Sequence, residues 1–139
     1  MGDKMDDSSY ETKWYNFDPV TKEVSPAAPG PFQPIAERQI AYTKLWNGTW
    51  ISTVFLCMDH SWEEDGSELF ETMVFPRNNW VEDLCLRCAT YADALQQHKA
   101  AVEWARRENH PLVLIYKVIE RAAVYVYKKV VELFTRHKG

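Results

Sequence analysis

The pair Asn47-Gly48 constrains this chain more than any other two residues. It separates Gln39-Ile-Ala-Tyr-Thr-Lys-Leu-Trp46 from Thr49-Trp-Ile-Ser-Thr-Val-Phe-Leu-Cys-Met58, two runs rich in β-branched and aromatic residues. Asn-Gly between such runs marks a β-hairpin, because a type I′ turn needs positive φ at both central positions. A two-residue turn there pairs Trp46 with Thr49, Tyr42 with Thr53 and Ile40 with Phe55. Glu68-Leu-Phe-Glu-Thr-Met-Val-Phe75 follows as a third strand, stopped by Pro76, and Leu84-Cys-Leu-Arg87 reads as a short fourth.

Two helical segments come next. Thr90-Tyr-Ala-Asp93 is close to a capping box, a hydroxyl at the N-cap with an acid three residues on, and opens a helix over 90–108 with Ala92, Leu95, His98 or Lys99, Val102 and Ala105 on one side. Pro111 suits the first position of a long amphipathic helix over 111–138. Leu112, Ile115, Ile119, Ala122, Val126, Val130 and Leu133 follow helical spacing, and Lys117, Glu120, Arg121, Lys128 and Glu132 take the opposite side. Val113, Ile115, Val118 and Ile119 favour a strand as well, so 112–119 stays open between the two. Residues 1–36 hold five of the seven prolines and read as a partly extended arm whose Tyr10, Trp14, Tyr15, Phe17 and Phe32 need a surface to pack on. The predicted fold is α+β: an antiparallel meander of three or four strands over 37–88, one or two covering helices, and the proline-rich arm in front, with 37–139 as a single domain.

Composition narrows the class. A chain of 139 residues, 46% hydrophobic and 26% charged, suits one domain. A mean hydropathy of −0.42 argues against a transmembrane protein, and 14% aromatic residues argue against wholesale disorder. Residues 1–98 hold 7 Lys and Arg against 16 Asp and Glu, whereas residues 99–139 hold 9 against 4, a body of −9 beside a tail of +5. Three cysteines make a disulfide framework improbable and suit a reducing cytoplasm. The acidic N-terminus is not a signal peptide.

Three groups of residues bear on chemistry. Cys57-Met-Asp-His60 and Cys85-Leu-Arg-Cys88 have the ligand types and local spacing of a zinc site. Against zinc, Cys57 lies in an apolar strand, and free cysteine is among the most buried residue types. If the second and third strands pair in the simplest register, Leu56 faces Glu71, and Met58 and His60 share its side. Asp59 or His60 with Glu71 would then serve acid–base chemistry or hold a cation; the plainer reading has Asp59 and His60 satisfying turn backbone. No nucleophile or phosphate-loop motif accompanies them. Trp46, Trp50, Trp62 and Trp80 lie near turns or strand ends, with Glu63, Glu64 and Asp65 in the loop between. Exposed Trp and Tyr mark protein or small-ligand surfaces; the acidic sheet region argues against nucleic acid. The aliphatic face of the last helix exceeds what a small sheet needs, which points to a homo-oligomer, most simply a dimer.

The segments Thr53-Val-Phe-Leu-Cys-Met-Asp-His60 and Leu69-Phe-Glu-Thr-Met-Val-Phe75, followed by a helix holding His98, resemble a group of small phage and prophage proteins with no assigned activity. The match covers about 48–102. That group usually has Gly-Leu at 57–58 and lacks the second cysteine pair. The resemblance implies a phage context more than a chemistry; a small, acidic, aromatic-rich phage protein with no catalytic motif then reads as a non-enzymatic accessory or counter-defence factor in the cytoplasm of a bacterial host, binding a host protein or a small nucleotide-like ligand. The alternatives are a small metal-dependent or acid–base hydrolase using Asp59, His60 and Glu71, and a virion or assembly component.

Overall fold

The computed structural model describes residues 12–61, 67–77 and 82–136. The fold is α+β. In chain order it has β1 (Trp14–Phe17), β2 (Val24–Ala27), a single turn α1 (Ile35–Arg38), β3 (Gln39–Lys44), β4 (Trp50–Phe55), β5 (Phe70–Phe75), β6 (Leu84–Cys88), α2 (Tyr91–Glu108) and α3 (Pro111–Arg136). Strands β3-β4-β5-β6 form an antiparallel meander in that order, and β1 and β2 form a separate antiparallel pair. The chain divides between Ala101 and Val102, within α2, into two compact units, the first of which holds both the arm and the sheet.

The hairpin at Asn47-Gly48 is present but one residue longer than a type I′ turn. Leu45 N–H donates to Thr49 O at 2.8 Å, and Gly48 N–H donates to Leu45 O at 3.0 Å. The loop is therefore three residues, with Gly48 at φ 89° and Asn47 outside the positive-φ region. Asn47 Oδ1 accepts the Thr49 N–H at 3.0 Å, a role that needs no left-handed asparagine. The register moves by one: Lys44 pairs with Trp50 and Tyr42 with Ser52. A Cβ at Gly48 would lie 2.9 Å from the Arg77 side chain, so both φ and space call for glycine.

Alternation builds the core. Ile51, Thr53 and Phe55 of β4 and Phe70, Thr72 and Val74 of β5 point to the face covered by the start of α2, and none is more than 1% exposed. The β4–β5 ladder sets Val54 opposite Glu71, two residues from the simplest register. Its regular part ends at Phe55, and Cys57 turns to φ 65° while its side chain joins the core. Glycine would take that conformation without strain.

The arm is not a loose extension. Asp18 Oδ1 accepts the N–H groups of Val20 and Thr21 at 2.7 and 3.1 Å and closes the β1–β2 turn; these bonds hold the exposed Asp18 carboxyl below its ordinary pKa. Tyr15 N–H donates to Cys57 O and Asp59 N–H to Lys13 O, which docks β1 beside 57–59. Phe17 is 2% exposed and meets the rings of Phe55, Phe70 and Tyr91 at 5.5–6.0 Å. The Gln33 side chain accepts from Phe17 N–H at 2.8 Å and donates to Phe17 O at 2.9 Å, taking the place of a strand neighbour.

Half of the capping box is observed: Thr90 Oγ1 accepts the Asp93 N–H at 3.1 Å, while the Asp93 carboxylate accepts the Thr90 hydroxyl at 2.7 Å in place of the Thr90 backbone N–H. The ambiguity at 112–119 resolves to helix. Pro111 starts α3, and His110 Nδ1 caps it by accepting the Leu112 N–H at 3.2 Å. From Val118 to Thr135 every residue of α3 is exposed.

Candidate functional site

In an antiparallel sheet, direct partners share a face and residues two apart share it again. Trp50 pairs with Lys44 on one side and Phe75 on the other, so all three, with Tyr42, stand on the face turned away from α2. Trp50 stacks on Phe75 with ring centroids 4.0 Å apart at 18°, and Tyr42 lies 6.0 Å from Trp50. A row of three rings thus crosses three strands. Phe75 is buried beneath Trp50, Trp50 is half-buried, and Tyr42 is 52% exposed. Trp46, 73% exposed, sits in the turn at the same end of the sheet. Lys44 and Arg77 border this end, the latter packed against Gly48. Of the row, Tyr42 and in part Trp50 reach the surface.

Farther along that face, Glu71 pairs with Arg87 across β5–β6 at 2.7 Å, and Arg87 also reaches Glu68 at 3.6 Å. The Cys85 S–H donates to Glu71 Oε2 at 3.6 Å. Glu71 is 6% exposed, and its bond to Arg87 pushes the guanidinium pKa up. Burial and the Glu71 charge push the Cys85 thiol up as well, so Cys85 stays protonated and a poor nucleophile.

The covered face carries a polar chain instead. His98 lies between Thr43 Oγ1, 2.9 Å from Nε2, and Thr53 Oγ1, 2.9 Å from Nδ1. Thr53 meets Thr72 at 2.7 Å, and Thr72 donates to Gln97 Oε1 at 3.5 Å. Burial lowers the His98 pKa, so the ring is held neutral between the hydroxyls, a satisfied core histidine.

The residues proposed for acid–base work occupy different positions from those expected. Asp59 Oδ1 accepts the N–H groups of Ser61 and Glu68, each at 2.9 Å, and so closes the loop between β4 and β5. His60 N–H donates to Glu68 O at 3.3 Å. Because the ladder stops before Cys57 turns left-handed, strand alternation does not carry Met58 and His60 onto the Glu71 face. The cysteine pairs diverge for the same kind of reason. Cys85 and Cys88 are three apart on a strand and point to opposite faces: Cys85 to Glu71, Cys88 to the core that contains Cys57. Burial, then the Asp93 charge, raises the Cys88 thiol pKa too. Among the described residues no three His, Cys, Asp or Glu side chains gather as a metal site. Trp62, Glu63, Glu64, Asp65 and Trp80 lie outside the described residues.

Nothing in the sequence alone marks Tyr42, Phe75 or Arg87 as site residues. Tyr42 and Phe75 become visible only once the three-residue turn and the β4–β5 register place them beside Trp50. Arg87 needed the β5–β6 pairing. No family model, no curated protein and no solved structure matches this chain. No helix among the described residues is long and apolar enough to cross a membrane.

Proposed function

We propose that this chain is a non-enzymatic binding protein, encoded by a phage, which engages a host protein through the Tyr42–Trp50–Phe75 face and associates with a second copy through α3. The aromatic row carries the reading. Tyr and Trp supply large rigid contact area with little rotamer entropy to lose, and they dominate the centres of protein interfaces. Here the row is pre-ordered by strand pairing, and its outermost ring is half exposed.

The resemblance of 48–102 to small phage proteins supplies the setting, an accessory or counter-defence factor acting in the cytoplasm of a bacterial host; three free cysteines suit that compartment. A hydrolase has less support, because Glu71 is committed to Arg87 and Cys85, and Asp59 Oδ1 to two backbone N–H groups. A second binding reading rests on Lys44 and Arg77 at the rim of the rings: a planar anionic ligand, nucleotide-like, would stack on the row and pair with them.

The test compares wild type with Tyr42→Ala, an exposed truncation that leaves the core intact. Immobilised wild type should retain one host protein stoichiometrically from bacterial lysate, and Tyr42→Ala should bind the purified partner at least about tenfold more weakly, a typical loss for an interface tyrosine. Equal binding by the variant removes the face from the function. Quenching of tryptophan fluorescence by ATP, lost in Lys44→Ala, would favour the nucleotide reading instead.

A further inference from the structure

The helix α3 carries more than an apolar stripe. Leu112, Ile119, Val126 and Leu133 recur every seven residues, and Tyr116, Ala123 and Val130 interleave with them so that the steps run four, three, four, three, four, three without a slip. That is a coiled-coil seam, with Tyr116, Ala123 and Val130 at a and the other series at d. All seven are exposed, the six larger side chains from 43% at Val130 to 69% at Leu112. The arc around the seam, roughly 140° of the helix, contains no charged residue.

We infer that α3 pairs with the α3 of a second copy along this seam, and that the two helices run antiparallel. The inference rests on the self-association proposed above and specifies its register. A surface 26 residues long extends about 39 Å, and a seam of that length covers on the order of 800 Å² per partner, the size of a standard stable interface. A bilayer surface suits α3 less well, because the side away from the seam is not a basic polar face: Leu114, Val118, Val124 and Tyr125 are exposed there among the charges.

Side-chain volume sets the direction. In a parallel pair each layer stacks a residue on its own copy, so Tyr116 meets Tyr116 and Ala123 meets Ala123, an overfull layer two steps from a hollow one. Antiparallel pairing sets Tyr116 against Leu133, Ile119 against Val130 and Ala123 against Val126. The layers then taper evenly to a narrow waist, and the helix dipoles oppose.

Sedimentation velocity of the full-length protein at tens of micromolar tests this. Wild type should run at twice 16.3 kDa, Val126→Asp should weaken association at least about 100-fold, and Lys128→Glu on the far side should still dimerise. A monomeric wild type overturns the self-association reading itself, whether or not that monomer sediments with phosphatidylglycerol vesicles. A dimer that survives Val126→Asp keeps self-association but overturns the seam. Under mild oxidation, Tyr116→Cys/Leu133→Cys should cross-link above the wild-type background and Leu133→Cys alone should not. Cross-linking of the single variant means parallel helices and overturns the register.

Discussion

The sheet and α3 are both rich in aliphatic and aromatic residues, and they differ in where that surface goes. Phe55 and Phe70 in the sheet are 0% exposed, held among Phe17, Leu69 and Ala94 of the same unit. Ile119, Val126 and Phe134 of α3 are 61%, 57% and 74% exposed. Burying a side chain of this kind is worth about 1.5–3 kcal/mol, so the sheet unit draws its stability from its own residues, whereas α3 has that much still to gain from outside. An isolated helix is marginal in water, and the many β-branched residues of α3 lower its intrinsic helicity further. The contrast separates a part of the molecule that packs on its own contacts from a helix whose apolar side chains stay exposed, the surface on which the proposed self-association rests.

The largest expected effect lies where the arm enters the core. Phe17→Ala should cost the sheet unit about 3–5 kcal/mol in urea unfolding, the usual range for a buried phenylalanine. A loss under about 1 kcal/mol would return the arm to the status of an appendage and break the contrast. Gly48→Ala should cost about 1–3 kcal/mol, through its positive φ and the Arg77 contact, read in the same way.

Acid should weaken the sheet unit. His98 has a lowered pKa when folded, so between that value and about 6.5 the unfolded chain binds the extra proton; its contribution is complete above about pH 6.5 and is lost as pH falls below it. Thermal unfolding of wild type should therefore fall more steeply from pH 7 to pH 5 than that of His98→Gln. Parallel slopes would show that the Thr43–His98–Thr53 chain is not sensed. The smallest effect is at Cys57. Cys57→Gly exchanges core packing for relief of a left-handed strain and should stay within about 1 kcal/mol of wild type, while the β-branched Cys57→Val should be clearly worse.

Local chemistry made much of this fold legible in the sequence. Alternation in 49–55 and 68–75, the Thr90–Asp93 box and Pro111 located strands and helix starts, because each is decided by neighbours within a few residues. Register was legible only in part. The three-residue hairpin loop, with Asn47 Oδ1 accepting the Thr49 N–H, and the left-handed Cys57 just past the β4 ladder are not visible in an apolar pattern. Phe17 could not be told from the other arm aromatics, since what distinguishes it is a pocket made by Phe55, Phe70 and Tyr91, dozens of residues away. The candidate site suffered most. Trp50 stands out in the sequence by type and place, but the rings beside it, Tyr42 and Phe75, depend on register, and the zinc reading requires Cys85 and Cys88 to share a side, whereas they stand on opposite faces of β6.

Hydrogen–deuterium exchange measured by mass spectrometry at two protein concentrations, a few micromolar and a few hundred, tests the contrast most directly. Protection of 39–55 and 91–101 should be the same at both, because their partners lie in the same chain, while protection of 112–136 should rise with concentration. Protection of α3 that does not change with concentration would contradict the claim that a second copy completes it.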